Sequence, residues 1–100
     1  MKSRVEIEQA WSAHLQRPFP RELVGREIDG VCLTSCDTYL AGCVSHFVDG
    51  GALDPERADV VARVSADIRR VLPHLSGEAS EYFSALLALG AALQVVAKPA

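Results

Sequence analysis

Cys32, Cys36, Tyr39, Cys43 and His46 follow one another at three- and four-residue steps, the spacing that aligns side chains along one side of a helix. At about 100° per residue the five directions fall within an arc of roughly 80°, beside Leu40 and Phe47. A row of thiols, a phenol and an imidazole admits thiol redox chemistry, metal binding, or polar contacts to a ligand held between helices.

The thiol candidates are Cys32, Cys36 and Cys43. Cys32 and Cys36 stand one turn apart, about 6 Å along the axis, near the upper end of disulfide Cα separations. Their Cβ atoms point in parallel, so a bridge within the helix would be strained. The spacing is not C-x-x-C, and no lysine or arginine shares the stripe to stabilise a thiolate. The plainer reading makes each cysteine a small buried apolar residue.

The metal candidates are Cys43, His46 and Asp49, which continue one three-residue step to the end of the helix. Such steps drift around the axis by about 60° each, so a second helix would have to supply further ligands. Only His14 and His74 are left as histidine donors. Zinc sites typically present two ligand pairs, and no second pair occurs here. The expectation is therefore a chain with no metal and no other cofactor. A third reading is a small apolar ligand held inside the bundle, with Tyr39, His46 and Asp37 as its polar contacts.

Asp37 projects beside Val44 and Val48, at the edge of the buried side. A carboxylate there needs a partner, and an arginine from the proline-rich connector is the expected one. His14 beside Trp11 reads as a satisfied core or interface residue. Glu78 and Glu81 suit the positive end of a helix dipole and need no further role.

Four helices must position these residues. Ser3 with Glu6 is a capping box, predicting a short first helix over Arg4–Leu15. Pro18 and Pro20 make the following stretch extended, and Pro20 opens a single turn ending near Gly25. A second helix is expected over Ile28–Val48, with Gly30 and Gly42 inside it as marks of close helix approach. Asp49-Gly50-Gly51 ends it. Asp54-Pro55-Glu56 starts a third, Pro55–Leu72, with Val60, Val61, Val64, Ile68, Val71 and Leu72 on one stripe. Arg63 is expected to pair with Asp59 and Asp67 at i,i+4. Ser76 caps a fourth helix, Gly77–Ala97. The short loops make neighbouring helices antiparallel.

The fold class is therefore all-α: an antiparallel bundle of three long helices plus a short N-terminal helix, in one domain over residues 1–100. From Ala85 onward the fourth helix is apolar on nearly every side, more than one copy of so small a bundle is expected to enclose. Leu86, Leu89, Leu93 and Val96 are the predicted interface of a homodimer, with another protein as the alternative partner.

Hydrophobic residues at 49% and charged residues at 23% require a packed core and exclude a disordered chain. A net charge of −3, without a basic stripe, excludes nucleic acid as the expected partner. The stretch Ala85–Ala97 is too short for a bilayer, which takes about 20 residues, so no membrane is expected. Three cysteines without a signal peptide predict a reducing cytoplasm, and the excess of arginine over lysine fits a GC-rich bacterial genome. No phosphate loop, H-E-x-x-H or G-x-S-x-G occurs. The functional expectation is a self-associating interaction or regulatory module without catalytic activity. A thiol- or metal-dependent protein and an apolar-ligand binder are the alternatives.

Overall fold

Capping chemistry opens two helices where the sequence places them. The computed structural model describes residues 1 and 3–97. Helix α1 spans Arg4–Leu15, and the Ser3 hydroxyl accepts from the Glu6 N–H at 3.2 Å. Helix α3 spans Pro55–Val71, with Asp54 accepting from the Arg57 N–H at 2.8 Å and Pro55 beginning the first turn. Helix α4 spans Gly77–Val96; Ser76 holds its N-cap position, but the hydroxyl makes no cap bond. The short 3-10 turn Leu72–His74 absorbs Pro73 between α3 and α4.

The second helix begins five residues later than the sequence reading places it. Helix α2 spans Leu33–Val48, preceded by a hairpin of β1, Glu27–Ile28, and β2, Val31–Cys32, with Ile28 opposite Val31. Asp29 and Gly30 have φ of 52° and 77°. Left-handed backbone at both central positions is the two-residue hairpin turn that matches strand twist, and Asp-Gly is a favoured pair for it. Gly30 is thus a turn residue. The tip is tied down: His74 Nε2 lies 3.3 Å from the Asp29 carboxylate, and Arg70 donates to the Asp29 carbonyl at 3.4 Å.

Gly42 is also not a point of close approach, because a Cβ built there meets nothing within 4 Å. The close approach lies on α4. A Cβ on Gly90 would stand 2.9 Å from Ser65 Oγ and 3.3 Å from the Leu40 methyls. The absent side chain lets α4 sit down on α3 and α2 at once.

Helix α4 is the central element, packing against α1, α2 and α3, while α2 also packs on α3 and on α1. Val61, Val64, Ile68 and Val71 of α3 meet Leu33, Leu40, Val44 and Phe47 of α2 and Phe83, Leu86, Leu89 and Leu93 of α4 in one buried cluster. The bundle expected from the sequence is the bundle found, and its first helix lies on α2 and α4 of the same copy.

The interface residues require correction. Leu86, Leu89 and Leu93 are 0%, 1% and 0% exposed within a single copy, and Val96 is half-buried. One copy does enclose the leucine side of α4, because three helices line it and the outward residues are small. By length and composition Gly77–Val96 is apolar enough to cross a bilayer, a measure that the core helix of a soluble protein also meets. On α3, Asp59 pairs with Arg63 at 2.9 Å as expected, but Asp67 pairs with Arg70 at 3.4 Å.

Candidate functional site

The stripe on α2 does not form a site. Its buried side centres on Leu40, Val44 and Phe47, so the row from Cys32 to His46 runs along the edge of that side rather than its middle. Tyr39 turns to solvent at 59% exposure, against the α3 residues Val60, Arg63 and Val64. Cys36 and Cys43 turn inward and are buried. Cys32 lies in β2 at the N-cap of α2, outside the helix, so it leaves the row altogether. Tyr39 and His46 therefore do not converge on a common internal ligand space.

All three thiols are free. Burial pushes Cys36 up to about 11, with the Asp67 carboxylate adding to the effect, and burial raises Cys43 as well. The Cys43 sulfur approaches the Arg57 carbonyl at 3.9 Å. Cys32 moves the other way, below the ordinary thiol value, because hydrogen bonds from the Ser35 side chain and backbone favour its thiolate. The sequence reading treated the three alike; register separates them.

The proposed metal ligands also separate. Cys43 is packed in the core, and Asp49 is exposed at the end of α2. The His46 ring lies against Gly51, where a Cβ would overlap it. Among the described residues no three His, Cys, Asp or Glu side chains gather closely enough to hold a metal ion.

The polar groups that do meet come from three helices. The Tyr82 hydroxyl of α4 donates to Asp37 Oδ1 of α2 at 2.5 Å. Asp37 thus finds a phenol where an arginine was expected. Burial and this carboxylate hold the Tyr82 hydroxyl well above the ordinary phenol value, so the proton stays on Tyr82. The His14 ring of α1 lies 4.6 Å from the Tyr82 ring, and Trp11 stacks on His14 at 6.0 Å. Phe19 stands edge-on to both Tyr82 and Phe83 at 5.5 Å and 6.0 Å. Aromatic packing of this kind fixes the connector across the ends of α1 and α4.

His14 is 3% exposed, and neither ring nitrogen has a hydrogen-bond partner. The expected satisfied core histidine is buried but not satisfied. Burial first, and the Arg17 charge second, hold it below the ordinary imidazole value, while Asp37 pulls in the opposite direction. A cleft of about 220 Å³ opens beside this group, lined by Gln16, Arg17, Pro18, Glu78, Glu81 and Tyr82. His14 and Asp37 draw notice in the sequence, whereas Tyr82 does not; their meeting has no spacing signature, since it depends on how α1 and α4 cross α2.

At the other end of α1, Arg4 Nη1 donates to the Phe47 carbonyl at 2.7 Å, and the guanidinium lies 4.0 Å above the Phe47 ring. A cation on the last turn of α2 suits both the ring face and the negative end of the helix dipole.

Fold and site together define a small all-α bundle in which a peripheral N-terminal helix rests on a three-helix body. No protein-family model, curated protein or solved structure matches the chain.

Proposed function

We propose that this chain is a self-associating protein–protein interaction module without catalytic activity, and that the outward side of α4 is its contact surface. The observation that supports this reading is a long charge-free face. Ser84, Ala88, Ala91 and Val95 fall within about 60° of one another on the side opposite the buried leucines. Ser84 and Ala88 are exposed, Val95 is 69% exposed, and Ala91 is half-buried. No charged residue occurs from Tyr82 to Ala97. Small side chains let two helices come close, and a second copy presents the same face about a twofold axis. Three unpaired thiols are compatible with a reducing compartment such as the cytoplasm.

Sedimentation of the wild type and of Ala88→Asp tests the proposal. The wild type should run at twice the chain mass at micromolar concentration, and the variant at one, with helicity unchanged. A wild type that stays at the mass of one chain overturns the reading.

A further inference from the structure

We infer that His14 is an acid-sensitive latch: its protonation releases α1 from α2 and α4 and uncovers the Tyr82 ring. Helix α1 fully buries two side chains, Ile7 and His14, while Ala10 and Trp11 pack against the core partly buried. Ile7 anchors its N-terminal half, beside the Arg4 contact to the Phe47 carbonyl. His14, with Trp11 stacked on it, anchors the C-terminal half, so one of the two fully buried side chains of α1 is an ionisable ring. Its two nitrogens are shut off from water and have no partner in the protein. A protonated imidazole carries two N–H donors, and neither would find an acceptor in this seat.

The charged and titratable groups around the ring explain the direction of the switch. From its own end of the chain, Arg17 repels a cation on His14. From α2, Asp37 attracts one, but its Oδ1 already receives the Tyr82 hydroxyl. From α4, Tyr82 offers its ring face, with its hydroxyl engaged by Asp37. Glu78 and Glu81 of α4 line the neighbouring cleft with Arg17. Burial outweighs the one favourable carboxylate, so the docked ring is neutral.

The released helix exposes His14 to water, where imidazole titrates near pH 6.5. The docked value lies below that. Docking is therefore fully favoured above about pH 6.5, and weakens as the pH falls towards the lower, docked value. Within that window the released population grows by up to about tenfold per pH unit. Among the described residues His14 is the one buried histidine: the other buried polar side chains are Ser65, which does not ionise, and the Cys36 and Cys43 thiols and Tyr82 hydroxyl, which burial holds in their neutral forms. Release is accordingly confined to α1.

Segment-resolved amide exchange at pH 7.5, 6.5 and 5.5, corrected for intrinsic exchange rates, tests the latch in the wild type and His14→Phe. The wild type should lose α1 protection below pH 6.5 while α3 and α4 keep theirs, and His14→Phe should show no pH response. Unchanged α1 protection in the wild type, or equal loss across α1, α3 and α4, or the same response in His14→Phe, overturns it. An NMR titration of the wild-type His14 ring covers the case of a variant that fails to fold. A midpoint below 6.5 supports the latch, and a midpoint at or above 6.5 overturns it.

Discussion

The interface among α2, α3 and α4 and the seat of α1 are built from different materials, and the difference governs how each can fail. In the first, valine, leucine and isoleucine side chains from three helices interlock, and Gly90 lets Ser65 and Leu40 close against α4. Nothing in that contact ionises near neutral pH. In the second, α1 is held by Ile7, by His14 among aromatic rings, and by Arg4 on the Phe47 carbonyl. Buried apolar area stabilises at about 25 cal/mol per Å², whatever the pH, whereas an orphaned buried imidazole carries a cost that depends on its protonation. The body is stiff because its contacts are many and uncharged. The arm is releasable because its contacts are few and one of them titrates.

The sharpest way to break this comparison is to make the same kind of cut in both places. Ile68→Ala, in a fully buried position on α3, should cost about 2–5 kcal/mol of global stability in urea unfolding. Ile7→Ala removes a side chain that is equally buried, but its main effect should be faster amide exchange within α1. If Ile7→Ala lowers global stability as much as Ile68→Ala, arm and body unfold as one unit and the distinction falls.

A smaller effect is expected where the two regions touch. Tyr82→Phe keeps the ring under His14 and removes the hydroxyl that Asp37 accepts from. Asp37 is half-buried and keeps some access to water, so the loss should be about 1 kcal/mol. A urea midpoint identical to wild type would show that the bond adds nothing to the docking of α2 on α4.

The least disruptive test reads the thiols. At pH 8 the native protein should be alkylated first at Cys32, where Ser35 favours the thiolate. Cys36, held near 11 by burial, and the buried Cys43 should react only after denaturant opens the body. Peptide mapping of partially labelled protein distinguishes them, and equal labelling of Cys36 and Cys32 would contradict the tight packing assigned to the body.

Much of the fold could be read directly from local chemistry. Ser3, Asp54 and Pro55 announce helix starts because a cap bonds within three residues of itself, and the valine stripe of α3 declares its buried side through simple periodicity. The hairpin is equally local, but the sequence reading takes Gly30 as a helix-interior glycine, where the Asp29-Gly30 pair in fact makes the turn that delays the second helix beyond Ile28. Spacing along one helix says which residues share a side. It does not say where the buried side is centred, and that centre was decided by how α3 and α4 pack on α2. It turned Tyr39 out, Cys36 in, and left His46 against Gly51. Likewise, α4 looks apolar all round in sequence, and only the presence of three neighbours reveals that its leucines are covered within one copy while Ser84, Ala88 and Val95 are not. The meeting of His14, Asp37 and Tyr82 belongs wholly to the tertiary structure. Tyr82 stands 45 residues along the chain from the Asp37 that accepts its hydrogen bond, and no local rule links positions so far apart. Sequence determined the helices and their caps because those interactions close within a turn. Crossing geometry decided the site because its contacts close only when separate helices dock.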